Sequence, residues 1–116
     1  MLFVTVDQDR KQLGELTKLL LTAFHGSVIY QHTEPIRALQ DIRAQRVDAV
    51  FVGETINGMD GISVMLLLRR SCPQLKIFIL SAHQEYCRSA LTMGANGVLQ
   101  YPITAQDIEK TLRAAG

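Results

Sequence analysis

Asp48-Ala-Val-Phe-Val-Gly-Glu-Thr-Ile-Asn-Gly-Met-Asp-Gly61 is the stretch on which the fold turns. Residues 49–52 form a short apolar, β-rich run closed by Asp48 and Gly53, which reads as a buried strand. A loop rich in Asn, Gly and Asp follows, and then Ile62, Met65, Leu66 and Leu68 recur at the three-and-four spacing of an amphipathic helix. The unit is strand, loop, helix.

Working outward, the same unit recurs. Runs at residues 2–6, 27–31, 76–80 and 97–100 read as further strands. Helical spacing appears in Leu13, Leu16, Leu19 and Leu20, in Ile36, Leu39 and Ile42, in Cys87, Ala90 and Leu91, and in Ile108 and Leu112. Boundary residues agree: Asp9 caps the first helix, Thr33 before Glu34 and Pro35 starts the second, Gly94 ends the fourth, and Thr104 with Asp107 begins the fifth. Strand–helix units with near-continuous apolar strands give an α/β fold, a parallel sheet covered on both faces through right-handed crossovers. Ligands of such sheets sit beyond the carboxyl ends of the strands. There the chain places Asp7, Gln8 and Asp9, then Gly53 and Glu54, then Ser81, Ala82 and His83, then Tyr101 and Pro102.

Bulk properties narrow the function. The 116 residues are 47% hydrophobic and 20% charged, enough to build one core without disulfides or structural metal, so residues 1–116 read as a single domain. A net charge of +1 with no basic run gives no footprint for direct nucleic-acid or anionic-lipid contact. Cys72 and Cys87 lack the spacing of a zinc site and read as reduced thiols. No apolar stretch has the length of a membrane helix, and the first residues lack a signal peptide's basic start, so a cytoplasmic location is expected.

At the strand ends the chain resembles the receiver domain of bacterial response regulators, the CheY-like superfamily. The motifs are Val6-Asp7-Gln8-Asp9, the 48–61 stretch, Ser81-Ala82, Gly94-Ala95-Asn96-Gly97 and Tyr101-Pro102. The resemblance implies a flavodoxin-like (βα)5 doubly wound sandwich, with a five-stranded parallel sheet in the order 2-1-3-4-5. It also implies a pocket in which an Asp at the end of the third strand accepts a phosphoryl group, an acidic pair holds magnesium, and a lysine adds positive charge. A hydroxyl after the fourth strand then bonds the phosphate, and an aromatic residue on the fifth strand turns inward. Matched position by position, the acceptor falls on Gly53, the acidic pair on Asp7 and Gln8, the lysine on Tyr101, the hydroxyl on Ser81 and the aromatic on Val98. The loop proline falls on Asn57. The nucleophile, one metal-ligand charge, the cation and the aromatic switch are replaced, so the chain resembles a degenerate pseudo-receiver. Neither magnesium nor another cofactor is expected.

Glu54 would be a surrogate acid only if it faced the pocket, and strand alternation aims it to the opposite side. His83 reads as an exposed loop residue, and His25 and His32 lack metal-ligand spacing. Asp7 is expected to accept backbone hydrogen bonds or the Tyr101 hydroxyl, with Tyr101 plugging the former pocket. Tyr86, Arg88, Lys110 and Arg113 on the last two helices, with Val98, match the receiver docking surface. The expected function is therefore non-enzymatic: contact with a protein partner, or homodimerisation through the fourth helix, fifth strand and fifth helix, independent of phosphorylation. Two alternatives stand beside it. One is the receiver part of a DNA-binding transcriptional regulator whose output domain follows Gly116. The other is a small-ligand-binding or phosphotransfer flavodoxin-like domain, which Asp7-Gln8-Asp9 and Gly53 disfavour because they repel phosphate and lack a nucleophile.

Overall fold

The computed structural model describes all 116 residues. Its elements run β1 (Leu2–Val6), α1 (Arg10–Ala23), β2 (Val28–His32), α2 (Pro35–Ala44), β3 (Ala49–Val52), β4 (Thr55–Ile56), β5 (Met59–Asp60), α3 (Gly61–Ser71), β6 (Ile77–Ser81), α4 (Gln84–Thr92), β7 (Gly97–Gln100) and α5 (Ala105–Ala114). Five strands pair in parallel in the order β2-β1-β3-β6-β7. This is the expected 2-1-3-4-5 order, renumbered because β4 and β5 form a separate antiparallel hairpin.

Alternation along the central strands divides the core into two layers. Val50 and Val52 of β3 and Ile77 and Ile79 of β6 pack with Leu39 and Ile42 of α2, Val64 and Leu68 of α3 and Ala90 of α4. Their neighbours Phe51, Phe78 and Leu80 face the other way, onto Leu16 and Leu20 of α1 and Ile108 of α5. In that second layer Phe51 stacks on Phe78 at 5.4 Å and meets Phe3 edge-on at 5.7 Å. Register then sets the site: Val6 pairs with Val52, so the residues that follow, Asp7 and Gly53, emerge side by side. Ser81 pairs with Gln100, which brings Tyr101 to the same end.

Several boundaries differ from the sequence reading. β2 and β6 each begin one residue later than expected, and Ser81 is the last residue of its strand. The hairpin forms because Asn57 (φ 49°) and Gly58 (φ 81°) supply the two left-handed positions of a tight turn, with Ile56 fully buried beneath. Glu34, not Thr33, occupies the N-cap of α2 and gives no side-chain cap, whereas Asp9 and the Thr104/Asp107 capping box serve as read; Asp60, not read as a cap, takes that place at α3. Ile36, Leu66 and Leu91, expected in the core, are exposed. In α4 the stripe facing the sheet is only Cys87 and Ala90 wide, and Leu91 lies a further 100° around the helix. No helix is long and apolar enough to cross a membrane.

Candidate functional site

The carboxyl ends of β1, β3 and β6 and the turn after β7 enclose a cleft of about 330 Å³, lined by Asp7, Gln8, Asp9, Glu54, Ser81, His83 and Tyr101 among others. Glu54 faces into it, contrary to the alternation argument. Extension ends at Val52; the Gly53 N–H still donates to Val6 O at 2.9 Å, but the Glu54 carbonyl turns to accept the Gly61 N–H at 2.8 Å. Gly61 is required for this turn, because a Cβ there would lie 2.0 Å from the Gly53 carbonyl oxygen.

The Glu54 carboxylate is held by two donors. Ser81 Oγ donates to Oε2 at 2.5 Å, and the His83 ring meets the same oxygen through Nδ1 at 3.0 Å. Ser81 Oγ in turn accepts the His83 N–H at 2.9 Å, closing a small network between β3, β6 and the N-cap of α4. The Ser81 hydrogen bond first, and His83 after it, hold the Glu54 pKa below the usual carboxylate value, against the opposing effect of burial. His83 is thus exposed as expected but engaged, which the sequence reading missed.

Tyr86 completes the arrangement. Its hydroxyl donates to Asp60 Oδ1 at 2.6 Å, accepts the Ile62 N–H at 3.0 Å and lies 3.3 Å from the Glu54 carbonyl. Burial, then the Asp60 hydrogen bond, push the phenol well above its ordinary pKa.

On the β1 side, Asp7 occupies the space above Gly53. A Cβ on residue 53 would lie 2.4 Å from Asp7 Oδ2 and 2.6 Å from Cγ, so any side chain there requires Asp7 to move. Burial raises the Asp7 pKa. Of the two partners expected for Asp7, the backbone is the one it takes: Oδ1 accepts the Asp9 N–H at 3.1 Å, and no hydrogen bond to the Tyr101 hydroxyl forms. Tyr101 still lines the cleft, its phenol pushed up to about 12 by burial and secondarily by the Asp7 charge. Asp9 Oδ1 is taken up by the Lys11 and Gln12 N–H groups of α1, and Gln8 is exposed.

A family model described as the response regulator receiver domain matches residues 3–113. The chain belongs to the response regulator receiver domain family. It is 26% identical over 113 residues to response regulator MprA of Mycobacterium ulcerans, covering 96% of this chain and 48% of that protein. The chain thus spans about half the length of the curated relative it matches. Among solved structures, the N-terminal signal receiver domain of a two-component response regulator from Bacteroides fragilis superposes with a TM-score of 0.87 at 17% identity, covering 99% of this chain and 96% of that one. The signal receiver domain of a DNA-binding response regulator from Colwellia psychrerythraea 34H gives 0.81 at 18% identity, covering 97% and 95%. Both have the same fold.

In this receiver, Asp7, Gln8, Ser81 and Tyr101 line one cleft, as read from the sequence, and Gly53 lies against the Asp7 carboxylate. Of the residues expected on a docking surface, Arg88, Lys110 and Arg113 are exposed. Tyr86 is not free for docking, because its ring packs on the core and its hydroxyl is engaged with α3 and β5. Val98 is half-buried against the same core layer. A signal for Tyr86 was present in the sequence: it lies four residues before the buried Ala90, on the same helix face. For Glu54 the signal was Gly53, which ends the alternation one residue earlier.

Proposed function

We propose that this receiver signals by contact, docking a protein partner or a second copy of itself through α4, β7 and α5 without accepting a phosphoryl group. One observation carries the reading: at the tip of β3 residue 53 has no side chain, and the Asp7 carboxylate fills the volume that a nucleophilic side chain would need. Tyr101 supports it, since a phenol that holds its proton to about 12 supplies no positive charge to a phosphoryl group. Receivers normally hold magnesium at this site, and the residues here do not fit the ion. Magnesium needs a near-octahedral set of oxygens. Asp9 is committed to capping α1, Glu54 is drawn to Ser81 and His83, and Gln8 brings a neutral amide, which leaves Asp7 without a converging partner. No cluster of three potential metal ligands forms.

The test is incubation with acetyl phosphate and magnesium, followed by intact-mass measurement. An unchanged mass is expected; a gain of one phosphoryl group overturns the reading. A second reading concerns the whole protein: this receiver as the regulatory part of a DNA-binding regulator. The length of MprA and the description of the Colwellia relative favour it. Sequencing the gene beyond the codon for Gly116 tests it, and a stop codon there would exclude it.

A further inference from the structure

We propose that Glu54 is a built-in substitute for the phosphoryl group, its carboxylate holding the Ser81 hydroxyl and, through it, the β6–α4 loop and α4 in one fixed arrangement. The inference rests on the phosphorylation-independent reading above and adds how such a receiver is regulated: its own sequence holds the docking face set.

The chemistry is that of an anionic oxygen meeting a buried hydroxyl. Ser81 is 2% exposed, so its Oγ has almost no access to water, and apart from Glu54 its only acceptor is the His83 carbonyl at 3.5 Å. A hydroxyl donating to a carboxylate oxygen makes a charge-assisted O–H···O⁻ hydrogen bond, the kind a phosphate oxygen would make to the same hydroxyl. Residue 54 also reaches α4 through its side chain, to His83 at the N-cap. The tip of β3 therefore restrains the loop and the start of α4 together. Such a network has few loose alternatives while its anion stays in place.

Amide hydrogen exchange on the full chain, comparing wild type with Glu54→Ala, Ser81→Ala and the double variant, tests the proposal. Exchange at Cys87, whose N–H donates to the His83 carbonyl, is expected to rise about tenfold in each single variant, the effect of losing one charge-assisted hydrogen bond; His83, whose own N–H is accepted by Ser81 Oγ, is read in Glu54→Ala alone. The double variant should match either single variant to within about twofold, because both remove the same interaction. Unchanged protection at Phe3 and Val4 in β1 shows that the fold is kept. If Glu54→Ala loses that protection, Glu54→Gln, which keeps the side-chain volume, is read in its place. Exchange in the Glu54 variant within about twofold of wild type, or single effects that multiply in the double variant, would overturn the proposal. The phosphodonor measurement separates the two readings. A mass gain on the wild type overturns phosphorylation independence whatever the exchange data show, whereas unchanged exchange with no mass gain overturns the Glu54 restraint alone.

Discussion

Glu54 and Asp7 share one cleft, yet their surroundings push their ionisation in opposite directions, and the difference is measurable. Ser81 and His83 favour the ionised Glu54, so its folded-state pKa falls below the unfolded value of about 4.3. A lowered pKa gives stability that is present above the unfolded value and lost as pH falls through the folded one. Asp7, raised by burial, has the opposite sign: its contribution is present at acid pH and lost as pH rises through its folded pKa. Wild-type stability against pH therefore mixes the two, while the difference between wild type and Glu54→Gln isolates Glu54. Urea unfolding should show Glu54→Gln less stable at neutral pH by at most about 1 kcal/mol, because the carboxylate keeps solvent contact. The gap should close as pH falls below about 4. A gap that stays constant with pH would mean that charge has no part in the Ser81 contact.

Between elements, the tie from α4 to α3 and β5 depends on one hydroxyl. Tyr86→Phe keeps the ring but leaves the Ile62 N–H without its acceptor and Asp60 without its donor. A loss of about 1–3 kcal/mol is expected in denaturant unfolding; a loss below about 0.5 kcal/mol would show that water replaces the phenol at little cost. The same region shows which features a single sequence carries. Strands β1, β3 and β6 were legible because they are buried on both faces and read as unbroken apolar runs. Caps at Asp9 and Thr104 were legible because they depend on nearest neighbours alone. Glu54 was not, because its direction is decided beyond the strand, where the Gly61 N–H captures its carbonyl from seven residues away. Leu91 was misread because helical periodicity marks a face without giving the width of its contact. The site residues from β1, β6 and β7 followed from topology, while the bond that joins Ser81 to Glu54 needed the folded chain.

For the molecule as a whole, the proposed docking face combines exposed apolar and charged groups. Leu91 is 49% and Met93 48% exposed at the end of α4, beside exposed Arg88. On α5, Lys110 and Arg113 are exposed, and Glu85 and Asp107 add acidic groups to the same two helices. An isologous pair brings each patch against its own copy, so unlike charges on α4 and α5 can pair while the apolar groups are covered. Isolated exposed leucines are ordinary, and the patch gains meaning only if it associates. Light scattering after size exclusion, from micromolar to near-millimolar chain, should show the mass rising from one chain toward two. Leu91→Asp changes a half-exposed side chain and should leave thermal unfolding within about 0.5 kcal/mol of wild type while abolishing that rise. A wild type that stays monomeric across the range would remove the second copy as partner and leave α4, β7 and α5 to a different protein. A dimer that survives Leu91→Asp and Arg88→Glu together would move the contact off α4, because a like-signed or buried unpaired charge at an interface centre is not tolerated there.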